Sequence, residues 1–582
     1  MRMASDKRCQ PQIGIMASCK IIRARPEEKE AAGKELPGGI VQLIAYDYPC
    51  TEHVSKGTFE WKFEKGNQLQ FVDHQCKPLR DRAGQPLRSC AGWPPSRFQI
   101  PDLDPDRGSV VWVQGLDPGP GKDSEVVKVT RTCTDPECRR QLSEEVKFTV
   151  ARVKFSKSEK QNYGFDDGFE VDDEGKLIQW GGKPPHVSIE IKKETYVQVD
   201  IEGGAVGSDF EFICDDETVC QPGQPENKAS FDLKLKAPKR DEKAETLLKV
   251  RCKIDEKSKE CAKRGKTPVH MCSAGRDRRE GDGDVFARLY INAYPLTIIK
   301  IEVMKVYSKK IKYSEFQDDK NYAETSFVKE VNRKMREAVV KVEITNFKKS
   351  NKPENIPHEY PPALQESDTG ALFINVGSTP DDREWLKMID KVFPVTEEGG
   401  TVRVIVVNRL YRYYLVECIA NAGSKTVSVG HGGDIKSNEK FLLIETKNPP
   451  PKKEEVTVEK TEGVFVHFKE PLKNSYSYGA WLAGSLGGIS RRTTGHTIAA
   501  ADLHGESVNV RWVAIHEALH TALKLKDVLF DQSVMHYTGM KDTRLFFHKL
   551  KKAYNHAETQ SQWEEIPRVE KDGPKENSSG GY

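Results

Sequence analysis

The sequence lacks long hydrophobic runs and an excess of charge of either sign. No stretch approaches the roughly 18 consecutive apolar residues of a membrane-spanning helix, so we expect no such helix. The 91 Lys and Arg nearly balance the 88 Asp and Glu, for a net charge of +3. This balance argues against a dedicated nucleic-acid-binding protein, which would carry a clear basic excess. The N-terminus leads into no apolar segment, so we expect no secretory signal peptide and synthesis in the cytoplasm.

Cysteine is scarce, and its distribution is uneven. The chain has 13 cysteines, and Cys418 is the only one beyond Cys272. None of the local pairs has the repeated Cys-x2-Cys spacing typical of structural zinc. Free thiols and a few disulfides on β-domains both remain open, because the redox environment decides between them. The local pairs are Cys133/Cys138, Cys214/Cys220 and Cys252/Cys261.

A chain of 582 residues is too long for a single core and predicts several domains. Residues 1–37 are charged and weakly patterned, which predicts a flexible leader. Segments 38–160 and 184–295 show period-two alternation broken by Gly and Pro, which predicts two all-β, immunoglobulin-like sandwiches. Residues 566–582 are poor in apolar residues and predict a disordered tail.

The pattern changes after about residue 320. Phe327, Val331 and Met335 recur at i, i+4 and i+8, which predicts a helix with one apolar stripe. Two apolar segments that follow, 339–344 and 401–407, predict strands. A region that mixes helix and strand in this way indicates an α+β domain.

The segment that carries chemistry is Val508–Leu525, which contains neither Pro nor Gly and predicts a helix. His516 and His520 are four residues apart and therefore lie on one face, one turn from each other. Two imidazoles at that spacing can bind one Zn²⁺, and the neighbouring Glu517 can act as general base on a water. The alternative is an ordinary amphipathic helix whose two histidines are hydrogen-bonded in the core and bind no metal.

Downstream, Ser533–Tyr537 reads Ser-Val-Met-His-Tyr. In combination with the His-Glu-x-x-His helix, this segment resembles the metzincin zinc metallopeptidases, and in particular the Met-turn of astacins, with a spacing closer to that of matrixins. The resemblance implies that Met535 lies beneath the metal. It also implies that Tyr537 is a further ligand or a donor to the transition state.

The same resemblance implies an α+β metzincin-like catalytic domain over 296–565. An insertion would span about 411–478, and a closing helix would run through Asp542–Tyr554. A substrate-binding edge strand would offer unpaired backbone groups to an extended peptide. That strand would contain Gly479, Ala480, Trp481 and Leu482.

The third metal ligand departs from the metzincin pattern. Lys526 occupies its usual position, and a protonated lysine cannot bind zinc. The next residue, Asp527, carries a carboxylate and is the preferred candidate. Asp531, His536 and Glu558 remain open.

The sequence thus predicts a zinc-dependent endopeptidase that acts on protein or peptide substrates. The alternative is a catalytically silent pseudopeptidase that acts as a binding protein, with Lys526 as the cause of metal loss. Stoichiometric zinc bound by two histidines would separate the two hypotheses. A further hypothesis is that the protein is an effector or toxin exported by a non-classical route, with a delivery, immunity or inhibitor partner. It rests on the domain organisation and not on the chemistry of the site.

Overall fold

The protein forms two compact units, which we describe separately in a computed structural model. The first unit comprises Met1–Glu170 and Ile178–Pro295, and the second comprises Val171–Leu177 and Leu296–Tyr582. Within the described residues, no helix is both long and apolar enough to cross a membrane. The described residues are 12–17, 21–24, 40–48, 57–73, 77–92, 108–119, 125–133, 141–167, 169–171, 177–180, 184–238, 242–253, 285–308, 321–346, 354–356, 371–375, 401–407, 409–430, 435–445, 452–485, 488–491, 496–500, 510–523, 525, 545, 550–551 and 559–566.

Strands dominate the described residues. The strands are β1 (Gln12–Ala17), β2 (Ile21–Arg23), β3 (Ile40–Tyr48), β4 (Gly57–Lys65), β5 (Leu69–Val72), β6 (Ser89–Cys90), β7 (Gly108–Gly115), β8 (Glu125–Cys133), β9 (Gln141–Lys157), β10 (Phe165–Asp166), β11 (Phe169–Val171), β12 (Leu177–Trp180), β13 (His186–Glu190), β14 (Glu194–Glu202), β15 (Phe210–Cys214), β16 (Gln221–Pro222), β17 (Ser230–Lys236), β18 (Ala244–Cys252), β19 (Val285–Tyr294), β20 (Thr297–Ser308), β21 (Val340–Asn346), β22 (Glu354–Ile356), β23 (Ala371–Asn375), β24 (Thr401–Val407), β25 (Arg409–Leu415), β26 (Thr426–Ser428), β27 (Lys440–Ile444), β28 (Lys453–Glu462), β29 (Phe465–Phe468), β30 (Trp481–Ser485), β31 (Gly488–Arg491), β32 (His496–Ala500), β33 (Leu550–Lys551) and β34 (Thr559–Gln560). The α-helices among the described residues are α1 (Thr325–Met335), α2 (Val510–Leu523) and α3 (Gln562–Glu565).

The first unit is built from sheets whose alternate residues are buried. Four strands form one sheet in the order β1-β3-β7-β5, five form a second in the order β10-β13-β19-β18-β15, and an eight-stranded sheet runs β16-β17-β14-β9-β8-β4-β6 with β2 beside β9. The core under the first of the predicted sandwiches is dominated by large apolar side chains. These include Leu43, Trp61, Phe71, Val111 and Phe148.

Strand β9 links the two predicted sandwiches, 38–160 and 184–295. Its first half pairs antiparallel with β8, and its last residues pair antiparallel with β14. A strand of 17 residues is long enough to serve both segments in one sheet. The two predicted sandwiches therefore share a sheet and belong to one compact unit.

The second unit begins its main segment at Leu296 and contains a seven-stranded sheet in the order β23-β25-β30-β27-β28-β29-β26. The predicted insertion, 411–478, lies within the stretch that supplies most of these strands. Alternating side chains of β28 are buried, with Val456 and Val458 directed into the core. This alternation is typical of an antiparallel sheet with one solvated face.

The second unit also contains a mixed six-stranded sheet in the order β21-β20-β24-β32-β31, with β22 beside β20. Strands β21, β20, β24 and β32 are parallel, and β31 at the edge is antiparallel. Residues Val402–Val406 of the central strand β24 are all buried, as expected for a parallel strand that is covered on both faces. Helix α1 packs against β21, and α2 packs against β24, β31 and β32.

The apolar stripe predicted for α1 is confirmed. Phe327, Val331 and Met335 are all buried. The helix is fixed to its neighbour by Asn332, whose amide donates to the carbonyl of Val342 at 2.8 Å and accepts from its N–H at 2.7 Å. Periodicity and one side-chain amide together set the position of this helix.

The predicted fold class, two all-β immunoglobulin-like sandwiches followed by an α+β metzincin-like catalytic domain, is wrong. Strands make up most of the described residues of both units, and three α-helices occur among them. The closing helix predicted over Asp542–Tyr554 contains β33, which pairs antiparallel with β34. Of that segment the structure describes Leu545, Leu550 and Lys551, and the rest lies outside the described residues.

The predicted substrate-binding edge strand is also wrong. Ala480, Trp481 and Leu482 are buried, and Gly479 immediately precedes this segment. Strand β30, which begins at Trp481, pairs with β25 on one side and β27 on the other. Its backbone groups are therefore used within the sheet and cannot receive an added peptide strand.

Candidate metal centre on helix α2

Helix α2 carries the candidate site, and its sequence explains its position. The segment Val510–Leu523 is rich in Ala and Leu, which are strong helix formers, and it contains no Gly or Pro. Trp512–His516 and Ala518–Thr521 are all buried. A helix that is apolar on nearly all sides belongs in a core, and α2 accordingly packs against the mixed sheet.

The two histidines converge on one point. Their Nε2 atoms are 3.1 Å apart, and their rings are nearly perpendicular, with an interplanar angle of 88°. Two nitrogens bound tetrahedrally to one zinc at about 2.05 Å would be separated by about 3.3 Å. The relative positions of His516 and His520 are thus close to those of two ligands of one ion.

The second histidine is oriented by the backbone just beyond the helix. Its Nδ1 lies 2.7 Å from the carbonyl oxygen of Leu525. Because a carbonyl can only accept, Nδ1 of His520 carries the proton and donates. The Nε2 lone pair is then available toward His516, which is the tautomer that a metal-binding histidine needs.

Glu517 lies beside the pair and is less buried than either histidine. One ligand atom from each of His516, Glu517 and His520 can be chosen so that all three lie within 4.8 Å of one another. The histidines are only 6% and 8% exposed. A half-buried carboxylate next to two buried imidazoles can reach a small molecule held by them.

Helix α1 braces the first turn of α2. Arg511 forms an ion pair with Glu324 at 2.7 Å and lies over the ring of Phe327. The same phenylalanine meets Trp512 edge-to-face, with ring centroids 5.6 Å apart. On Trp512, the Nζ of buried Lys334 lies 4.6 Å from the ring centroid, a cation–π contact.

This brace bears on the site because Trp512 lies one turn before His516 on the same face of the helix. Sequence reasoning missed Trp512, Lys334 and the carbonyl of Leu525. The i, i+4 spacing of Trp512 and His516 was a signal for the first of them. The other two depend on tertiary contacts that no local pattern encodes.

Several predicted site residues lie outside the described residues. These are Asp527, Met535 and Tyr537, together with the alternative ligands Asp531, His536 and Glu558. The structure brings together His516, Glu517 and His520, whereas Trp481 and Leu482 lie on β30, in the interior of another sheet.

The donor set fits zinc. Two imidazole nitrogens meet in a buried position, that of His520 in the tautomer that binds a metal, and imidazole and carboxylate are both ordinary zinc ligands. A zinc ion there would be held by His516 and His520, with at least one further ligand from the chain or solvent.

Comparison with known proteins does not assign the chain to a family. No protein-family model matches it, and no curated protein does. Among solved structures, the fibronectin(III)-like modules of Clostridium thermocellum CbhA are 9% identical, with 49% of this chain and 94% of theirs covered and a TM-score of 0.19. The tailspike protein gp49 of Pseudomonas phage LKA1 is 14% identical, with 16% of this chain and 17% of that chain covered and a TM-score of 0.12. The chain thus spans about a sixth of that tailspike, and similarity at these scores supports no argument about fold or function.

Proposed function

We propose that the protein is a zinc-dependent hydrolase of peptide bonds. Its active site would be formed by His516, Glu517 and His520. One observation carries the proposal: the two Nε2 atoms converge to 3.1 Å while a carboxylate stands beside them.

Each of these residues has a distinct role. His516 and His520 present neutral nitrogens to the ion, and the hydrogen bond to Leu525 keeps the second ring in that orientation. When bound, zinc lowers the pKa of a water and polarises a carbonyl. Glu517 accepts the proton of the attacking water and returns it to the leaving amine.

The sequence adds two further roles to the proposal. Asp527 is the proposed third ligand, because Lys526 cannot bind zinc. Tyr537 is the proposed donor to the oxyanion. Asp527→Ala should weaken zinc binding, whereas Tyr537→Phe should keep zinc and lower turnover.

Metal analysis and a peptide-library digestion on the same preparation test the proposal. The full chain should contain about one zinc and cleave peptides. Glu517→Gln should keep the zinc and lower kcat roughly 10²–10⁴-fold, as expected for loss of a general base. Glu459→Gln, an exposed glutamate on β28, is the matched control and should behave as the parent.

The outcomes distinguish the proposal from its alternative. Bound zinc without cleavage of any peptide would favour the pseudopeptidase. Absence of zinc after purification in zinc-containing buffer would leave the histidines as core residues and refute the metal site. Equal activity of Glu517→Gln and the parent would reject Glu517 as the base.

A further inference from the structure

Two thiols meet where the edges of two sheets come together in the first unit. Cys214 is the last residue of β15, the edge strand of the five-stranded sheet. Cys220 directly precedes β16, the edge strand of the eight-stranded sheet. Both are free cysteines, and they are 5% and 0% exposed.

The loop between the cysteines is held by hydrogen bonds to Asp216. Its carboxylate accepts from the N–H of Thr218 at 2.8 Å, and its carbonyl accepts from the N–H of Val219 at 3.0 Å. Its own N–H donates to the hydroxyl of Thr246 at 2.9 Å, on the strand next to β15. These bonds reverse the direction of the chain, and β16 contacts β15.

The two thiols lie close together where β15 and β16 are in contact, and Cys214 is the neighbour that most affects the pKa of Cys220. The contact with Cys214 and the burial of the site both raise the pKa of Cys220. Cys220 therefore holds its proton while the loop is closed. Residues 215–218 are exposed, so opening of this short loop gives a small oxidant access to the sulfurs.

We propose that Cys214 and Cys220 are a reversible redox site, whose disulfide links the edges of the two sheets. A second observation supports it: Cys252, on the strand that pairs with β15, is disulfide-bonded in this structure. The unit is thus compatible with surroundings that oxidise thiols.

The oxidant is a low-molecular-weight disulfide. The thiolate of one cysteine attacks it, forming a mixed disulfide and releasing one small thiol. The thiolate of the second cysteine then attacks the mixed disulfide at the protein sulfur, which forms the Cys214–Cys220 bond and releases a second small thiol. Two protons leave the cysteines and go to the released thiolates, and the small disulfide is reduced as the pair is oxidised.

Oxidised glutathione is the probe, applied to the full chain. After incubation and alkylation of remaining thiols, the protein is digested with a protease that cleaves after glutamate. Cleavage after Glu217 separates the two cysteines, so their peptides stay together only if a disulfide joins them. We expect linked peptides that separate on addition of dithiothreitol. Alkylation of both cysteines in the oxidised sample, after unfolding, would overturn the proposal.

A variant and a stability measurement complete the test. Cys220→Ser should abolish the linked peptides, whereas Cys418→Ser, which removes a thiol of the second unit, should leave them unchanged. Oxidation of the parent should raise Tm by a few degrees, because the disulfide restricts the unfolded chain. Linked peptides that join Cys214 or Cys220 to other cysteines would contradict the assignment of the pair.

Discussion

The two units place their chemical groups together in different ways. In the second unit, a single helix turn brings His516 and His520 within 3.1 Å. In the first unit, Cys214 and Cys220 meet because two sheets bring their edge strands together. The helix builds its site locally, whereas the sheets depend on tertiary packing.

Removal of a local ligand should have the largest effect. His520→Ala takes away one of two converging nitrogens and its bond to Leu525. We expect zinc affinity to fall by more than the roughly 10–100-fold that is typical when an outer partner of a ligand is removed. Competition with a chelator measures the affinity.

The control for this prediction lies on the same helix. Thr521 is buried, and its hydroxyl has no hydrogen-bond partner within the part of the chain that the structure describes. Thr521→Val should keep zinc and leave stability equal or raise it by about 1 kcal/mol, because it removes an unsatisfied polar group. Equal zinc affinity in His520→Ala and Thr521→Val would mean that the helix does not bind the metal.

The difference between local and long-range contacts explains what the sequence could predict. The stripe of α1 and the histidine pair of α2 follow from spacing along one helix, and both are found. The position of Trp481 depends on which strands pair with β30, and the prediction for it is wrong. A short apolar strand has the same sequence pattern at the edge and in the centre of a sheet. Its position is decided by pairing partners that are distant in sequence.

The interior position of Trp481 gives the next prediction. The side chain is 6% exposed and stacks on Tyr413 with ring centroids 3.8 Å apart. Trp481→Ala should lower the free energy of unfolding by about 3–5 kcal/mol, through lost contacts and a cavity. The midpoint of urea unfolding of the full chain measures the loss.

An edge-strand role predicts something else for the same variant. Substrate binding would then weaken, and KM would rise, at nearly unchanged stability. Phe465→Ala is the control, because Phe465 in the same sheet is 51% exposed and should change stability by about 0.5 kcal/mol or less. A Trp481→Ala variant as stable as the parent would contradict the buried, stacked position of this side chain.

The first unit contains a buried carboxylate that should make its stability depend on pH. Burial raises the pKa of Glu125 to about 7, against opposing contributions from the N–H of Gln68 and the charge of Arg88. The N–H of Gln68 is 3.2 Å from Oε2, whereas Arg88 is 3.9 Å from Oε1 and forms only a distant ion pair. Since the protonated form is favoured in the folded state, charging this carboxyl costs stability.

The direction of the effect follows from the two pKa values. The unfolded chain releases this proton near its ordinary pKa of about 4.3, while the folded chain keeps it until about pH 7. Stability is therefore greatest below pH 4.3 for this group and falls as pH rises through that window. Glu125→Gln should remove this dependence and stabilise the protein at pH 8 by at most about 3 kcal/mol.

Urea midpoints of parent and variant at pH 5 and pH 8 measure this difference. Glu145→Gln, which changes an exposed glutamate on β9, is the control. A variant whose midpoint falls with pH as steeply as that of the parent would show that Glu125 is charged in the folded protein at both pH values.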